Sequence, residues 1–179
     1  FIDIATRVLL NKHEPKQYQT LELDYVGIKT PQFSYNRFKG ANPVAHVEMA
    51  STGEVACIGR NYLESFFKSW LATEQTILGK RILVSIGGTQ KIKLLAQIKN
   101  LDENGWSIYS TEGTHDFLSK QGIASTCLFK ISQELEPNIS TIISNKEVDL
   151  IINIPSSNAG STTQTDGYKI RRLAIDHHI

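Results

Sequence analysis

The chain has 179 residues, 40% of them hydrophobic, which suffices for one complete domain, or for one domain and part of another. Its 19 basic and 18 acidic residues leave a net charge of +1, so no general nucleic-acid or membrane surface is indicated. No apolar run reaches membrane-spanning length. Cys57 and Cys127 are isolated and predicted to be small buried residues of a reducing compartment, and the histidines lack ligand spacing, so no metal site is predicted.

The first part of the chain, residues 1–76, mixes helical and extended patterns. Residues 1–10 are typical of the middle of an amphipathic helix, and since Met49 is the sole methionine we expect a piece of a longer protein. Residues 24–34 and 48–59 predict strands or extended segments. Residues 61–74 predict a helix with one apolar stripe that is either core or interface, formed by Leu63, Phe66, Phe67, Trp70 and Leu71.

The second part, residues 77–179, alternates between strand and helix patterns. Strands are predicted at 81–86, 106–110, 125–129 and 148–154, the last apolar enough to be buried on both faces. Helices are predicted at 90–103, 115–121 and 138–146, and a basic helix begins at Tyr168. The inward residues of the first of these helices are Leu94, Leu95, Ile98 and Leu101. This alternation predicts an α/β fold with a doubly wound parallel sheet, whose ligands bind beyond the carboxyl ends of the strands.

A Thr-x-Gly-Thr sequence, residues 111–114, lies where the second of these strands meets the following helix. Its hydroxyls and glycine allow donors to converge at a helix N-terminus, where the dipole favours an anion. An isolated sequence of this kind is more often a simple turn, with Thr114 as N-cap and Gly113 as turn residue. Both interpretations stay open from these four residues alone.

Polar residues follow all four strands at the same predicted sheet edge, which strengthens the anion-site interpretation. They comprise two lysines, three hydroxyls and an amide, a set that suits phosphate or carboxylate. They are Ser85, Lys91, Thr111, Thr114, Lys130 and Asn153, with Ser156 in the next loop. No His or Cys among these residues is placed as a nucleophile. No carboxylate is placed as a general base, since Glu112 and Asp116 are interpreted as surface acids at a helix start. The residues predict an anion-binding regulatory domain, with catalysis elsewhere.

Two long segments resemble a known family, in its order. Residues 24–61, above all VEMASTGEVA at 47–56, resemble the closing segment of the second ATP-grasp unit of the carbamoyl-phosphate synthase large chain. ILVSIGG, YSTEGTHDFLSKQGI, VDLIINIPSSN and GYKIRRLAID resemble the methylglyoxal-synthase-like allosteric domain that follows it. The resemblance implies an α+β remnant of an ATP-grasp domain at 1–76, followed at 77–179 by an allosteric domain whose final strand and helix lie downstream.

The resemblance also implies the activity of a parent enzyme. Such a ligase makes carbamoyl phosphate from bicarbonate, glutamine or ammonia, and two ATP, for pyrimidine and arginine biosynthesis. It would use ATP with Mg or Mn, whereas this piece needs no cofactor and is not catalytic by itself; Glu48 and Glu54 are interpreted as structural or surface residues. The expected partners are the rest of the large chain, a glutamine amidotransferase and a small anionic effector, in an oligomeric parent, with no nucleic acid or membrane. The expected location is cytoplasmic, with mitochondrion or plastid open.

The resemblance further implies an effector type. In nucleotide-regulated members the phosphate pocket uses residues that correspond to the six at this sheet edge, so UMP or IMP is expected. The acetylglutamate-activated, ammonia-dependent form has a tryptophan at the position of Lys130, which favours a nucleotide here. Acetylglutamate binding and a purely structural or oligomerising domain remain alternatives. Methylglyoxal synthase activity is discounted because residues 85–89 lack its aspartate and histidine, and the inosine-monophosphate cyclohydrolase domain because of the ATP-grasp-like first part.

Overall fold

A computed structural model of the chain describes residues 2–12, 24–33, 35, 53–73, 77, 79–155 and 165–179. The first part contains helix α1 (Ile2–Leu9), strands β1 (Val26–Gln32) and β2 (Gly53–Gly59), and helix α2 (Tyr62–Ala72). The strands are antiparallel, with Val26 opposite Gly59 and Gln32 opposite Gly53. Residues 48–52 of the second predicted strand, including Glu48, lie outside the described residues, as does Ser156.

Helix α2 packs on this strand pair through small polar residues. Asn61 caps the helix by accepting a hydrogen bond from the Glu64 N–H. Ser65 and Ser69 are fully buried, and the Ser65 hydroxyl donates to the carbonyl of Val26 over 2.6 Å. The apolar stripe instead faces outward, with Leu63 75% exposed. Of the two interpretations of the stripe, core is therefore wrong for the described residues.

The second part is built on a four-stranded parallel sheet. Its strands are β3 (Arg81–Ile86), β4 (Ser107–Thr111), β5 (Thr126–Leu128) and β6 (Leu150–Ile154), in the spatial order β5-β4-β3-β6. The helices are α3 (Gln90–Glu103), α4 (Glu112–Lys120), α5 (Ile139–Ser144) and α6 (Asp166–His177), with a 3-10 turn at Ile131–Gln133. Every neighbouring pair is parallel, which confirms the predicted α/β fold.

Two apolar layers lie on opposite faces of this sheet. One is formed by Val84 and Ile108 with Ile98 of α3 and Leu118 of α4. The predicted inward residues of α3 all pack in this layer: Leu94, Leu95, Ile98 and Leu101. On the other face Leu83 packs with residues of α5 and α6. Helices thus cover both faces, as a doubly wound sheet requires.

Three details differ from the sequence-based expectations. Residues of β6 are only half-buried, because among the described strands β6 pairs with β3 alone and lies at the sheet edge. Helix α4 begins at Glu112, three residues earlier than predicted, because Thr111 is extended and the chain enters the helix directly after β4. Cys57 and Cys127 are free thiols that are half-buried rather than buried.

Candidate functional site

The predicted site residues begin with a row across the carboxyl end of the sheet. Ser85 on β3 is the register partner of Asn153 on β6. The pairing of β3 with β4 runs to Val84 and Ser110, so Ser85 and Thr111 follow as the next two residues. The fold therefore brings Ser85, Thr111 and Asn153 to one level of three adjacent strands.

These three residues also share one face of the sheet. Each lies two positions after a residue of the layer formed with α5 and α6, namely Leu83, Tyr109 and Ile151. Because alternate strand residues point to the same side, the row faces the side of the sheet that α6 covers.

The two threonine hydroxyls of the Thr-x-Gly-Thr turn make different contacts. Thr111 is the N-cap residue of α4, with φ −69° and ψ 151°, but its side chain makes no capping hydrogen bond. Thr114 is 1% exposed, and its Oγ1 accepts a 3.1 Å hydrogen bond from the backbone N–H of Ile86. Thr114 is thus inside the first turn, not its N-cap, and fastens α4 to the end of β3. Thr111 is the more accessible of the two hydroxyls.

Lys91 reaches the same turn from the first turn of α3. Its Nζ donates a short hydrogen bond to the carbonyl of Gly113. A Cβ on Gly113 would lie 3.5 Å from that Nζ, an ordinary van der Waals contact, so the position of the lysine does not depend on the glycine. The ammonium is therefore held beside the N-terminus of α4, within the predicted anion site.

Lys130 lies after β5 with its backbone fixed and its side chain exposed. Its N–H donates to Oε1 of Gln133 over 2.7 Å, and its carbonyl accepts from Nδ2 of Asn138 over 2.9 Å. Three strand spacings separate the backbones of β5 and β6, about 14 Å in all, so Lys130 and Asn153 lie toward opposite ends of this edge. The six predicted residues share the edge and are spread along it.

Asn153 and helix α6 meet at the far end of the row. Nδ2 of Asn153 donates a 2.8 Å hydrogen bond to the carbonyl of Gly167. Arg171 lies one helical turn after Gly167, and its Nη1 is 3.6 Å from the place that a Cβ on Gly167 would occupy. The amide nitrogen of Asn153 is 3.7 Å from the same place. Sequence analysis missed Arg171, although the basic character of this helix pointed toward it.

The opposite face carries a polar contact that the sequence did not predict. Nδ1 of His115 is 2.9 Å from Oγ of Ser125, which in turn accepts a 3.0 Å hydrogen bond from Ser110. Ser110 is fully buried and alternates with Thr111, so this contact lies on the side of the sheet away from the row. It joins α4 to the segment before β5.

Two further features concern the described residues as a set. They contain no group of three or more His, Cys, Asp or Glu side chains arranged to hold a metal ion. In the described ranges no helix is both long and apolar enough to cross a membrane.

Comparison with known proteins finds a matching domain family and similar proteins. Residues 93–179 match the MGS-like domain family. The chain is 40% identical over 99% of its length to the multifunctional protein ura1 of Schizosaccharomyces pombe, of which it covers 8%. It is 38% identical over 98% of its length to the mitochondrial carbamoyl-phosphate synthase (ammonia) of Aquarana catesbeiana, covering 12% of that protein.

The corresponding human protein, mitochondrial carbamoyl-phosphate synthase (ammonia), is 37% identical over the whole chain, which again covers 12% of it. The chain thus spans about a tenth of the curated relatives that it matches. The match to the MGS-like family begins inside α3, so the predicted domain boundary at 76/77 stays a prediction. Over nearly its whole length the chain therefore corresponds to the C-terminal region of carbamoyl-phosphate synthases and related multifunctional proteins, the region that carries the MGS-like domain.

Proposed function

We propose that this chain is the regulatory region of a carbamoyl-phosphate synthase and binds a small anionic effector, UMP or IMP, at the carboxyl edge of its parallel sheet. The observation that carries this proposal is the position of Lys91 beside the uncapped first turn of α4. A cation and free backbone donors at one point attract a phosphate.

Capping of the described helices supports this choice of edge. Asn61, Asn138 and Thr165 each accept a hydrogen bond from the first turn of the helix that they precede. The N-cap residues of α3 and α4, Thr89 and Thr111, make no such bond. Among the five α-helices whose N-cap residue the structure describes, the two without a side-chain cap are the two that begin at the predicted site, where a bound anion would satisfy their N–H groups.

The nucleotide is favoured over acetylglutamate by the lysine after β5. Lys130 is exposed and its side chain has no ion-pair partner among the described residues. A second cation near the turn suits a phosphate, which concentrates its double charge on one group, better than acetylglutamate, whose two carboxylates carry one charge each at separate places. The tryptophan of the acetylglutamate-dependent form would supply no such charge.

The activity of the parent is part of the same proposal. The parent would be an ATP-dependent ligase that makes carbamoyl phosphate, with Mg or Mn bound outside this chain. Residues 1–76 would complete its second ATP-grasp unit, next to the rest of the large chain and a glutamine amidotransferase, within a cytoplasmic oligomer. The mitochondrial relatives keep that compartment open.

Calorimetric titration of the chain with UMP, IMP and N-acetylglutamate tests the proposal. Losing one charged hydrogen bond costs about 1.5–3 kcal/mol, so Thr111→Ala and Lys130→Ala should weaken nucleotide binding by that amount. Lys120→Ala, in the last turn of α4 away from the site, is the matched control. Binding of acetylglutamate alone would favour the ammonia-dependent type. Absence of binding by all three would leave a structural domain.

A further inference from the structure

Arg171 is a half-buried residue with one buried side-chain nitrogen that lacks a hydrogen-bond partner. Its Nε is inaccessible to solvent and has no hydrogen-bond partner. Among the described residues Arg171 takes part in no ion pair, whereas the adjacent Arg172 pairs with Asp176 and donates to the carbonyl of Tyr35. An unpaired buried guanidinium nitrogen is costly, so its persistence requires a compensating role.

The surroundings of Arg171 place it at the candidate site. Its Nη1 and the side-chain amide of Asn153 both lie within 4 Å of one point, the unfilled Cβ position of Gly167. Asn153 is itself in the row that begins with Ser85 and Thr111. The glycine leaves room that a side chain would occupy. Arg171 thus faces the end of the row opposite to Lys130.

The two ends of the site lie on different strands. The backbones of Thr111, at the end of β4, and Asn153, near the end of β6, are separated by β3, which corresponds to about 10 Å. A phosphate held by Lys91 and the Thr111 turn therefore leaves the end at Asn153 and Arg171 to another part of the ligand. A nucleoside monophosphate, which carries its phosphate and its base on opposite sides of a ribose, has polar groups at both ends.

We propose that Arg171 is a specificity-determining residue that donates hydrogen bonds to the base end of a nucleoside monophosphate whose phosphate lies at the Thr111 turn. The inference rests on the proposed function. The base would present carbonyl oxygens, which the planar guanidinium of Arg171 can engage with two parallel donors. The neighbouring amide of Asn153 keeps one N–H beyond its bond to Gly167 and shares this end.

The test compares inorganic phosphate, which can occupy only the Thr111 end of the site, with nucleotides, which can occupy both ends. It uses the full chain. UMP, IMP and inorganic phosphate are titrated into the wild type, Arg171→Gln, and Lys169→Gln as a matched loss of charge on the same helix. Arg171→Gln should weaken UMP or IMP binding by about tenfold to a hundredfold, the equivalent of one lost charged hydrogen bond. Its affinity for phosphate, and every affinity of Lys169→Gln, should stay within about twofold of wild type. Arg171→Lys should restore only part of the loss, because lysine keeps the charge but lacks the two parallel N–H donors of the guanidinium.

The outcomes separate this inference from the function on which it rests. If Thr111→Ala weakens nucleotide binding and Arg171→Gln does not, the function stands and the role of Arg171 is refuted. An equal loss of phosphate affinity in Arg171→Gln would refute the assignment to the base end. If the wild type binds none of the three ligands, both proposals fail.

Thermal unfolding without ligand supplies a second readout. Because Nε has no partner, Arg171→Gln should keep the wild-type midpoint. Marked destabilisation of both Arg171→Gln and Arg171→Lys would show that Arg171 holds the fold, and would overturn the proposal.

Discussion

The Oγ1 of Thr114 accepts a hydrogen bond from the backbone N–H of Ile86 over 3.1 Å and lies 3.3 Å from the carbonyl oxygen of the same residue. One hydroxyl of α4 therefore provides a hydrogen-bond partner for both backbone polar groups of Ile86, the last residue of β3. Thr111, three residues earlier at the end of β4, donates a 3.3 Å hydrogen bond to that hydroxyl and is the more accessible of the two threonines. The two threonines of the turn have separable roles, one in stability and one in binding.

Replacing these two threonines by valine should separate the roles. Thr114→Val leaves the N–H of Ile86 buried and unsatisfied, so it should lower the free energy of unfolding by about 1–3 kcal/mol. Thr111→Val should change it by less than about 0.5 kcal/mol but weaken nucleotide binding. Urea unfolding followed by circular dichroism measures the first effect and calorimetry the second. Equal unfolding midpoints for the two variants would contradict a stabilising hydrogen bond between Thr114 and Ile86.

A bidentate ion pair joins the start of β3 to the segment before β6. Arg81 donates to Asp149 through Nε over 2.9 Å and Nη2 over 2.7 Å, and its backbone N–H donates as well over 3.0 Å. The Asp149 side chain is 8% exposed. The hydrogen bonds from the Arg81 side chain, opposed by burial, hold the pKa of Asp149 below its ordinary value.

This lowered pKa predicts a pH-dependent contribution to stability. Stabilisation by Asp149 is present above its unfolded pKa of about 4 and is lost as the pH falls through its lower folded pKa. Asp149→Asn should therefore cost about 2–3 kcal/mol at pH 7, and the difference from wild type should shrink below pH of about 4. Urea unfolding of both proteins at several pH values from 7 down to below about 4 measures this difference in the free energy of unfolding. Asp3→Asn, which breaks an exposed pair with Arg7, serves as control and should show almost no difference at any pH.

The sequence predicted the elements whose signals are local. The strand Arg81–Ile86 and the helix Gln90–Glu103 were predicted with their observed bounds, because an apolar run and a regular apolar period are bounded by Gly79, the glycines at 87–88 and Gly105. The polar row at the sheet edge also follows from strand order, since parallel strands end on the same side.

The remaining features depend on contacts between distant residues. The partner of Thr114 is Ile86, 28 residues earlier, so no local pattern shows that this threonine is buried. Arg171 reaches the site only because α6 lies beside β6. In α2 the apolar stripe suggested the packed face, but the strands there offer hydroxyl and carbonyl partners to Ser65 and Ser69. The periodicity of apolar residues shows which residues share a helix face, but it does not show which face packs against another element.

The close packing of α2 on β2 depends on a glycine. A Cβ on Gly59 would lie 2.7 Å from the Ser65 Oγ and 2.8 Å from its backbone nitrogen, so the helix would have to move. Gly59→Ala should therefore lower the stability of the first part by about 1–3 kcal/mol. Gly53→Ala in the same strand, where no atom lies within 4 Å, is the matched control. The fluorescence of Trp70 in a Trp106→Phe background reports unfolding of this part, and an unchanged midpoint for Gly59→Ala would contradict the packing.

The thiol of Cys127 is shielded where α4 meets β5. Burial raises the pKa of this thiol, and the negative charges of Glu112 and Asp116 raise it further. The thiolate is the reactive form, so at pH 8 a Cys57→Ser variant should react with iodoacetamide more slowly than free cysteine does. Adding Asp116→Asn removes one negative charge and should accelerate the reaction, whereas Asp102→Asn on α3 should not. A Cys127 rate equal to that of free cysteine, or one unaffected by Asp116→Asn, would show that neither burial nor these carboxylates govern the thiol.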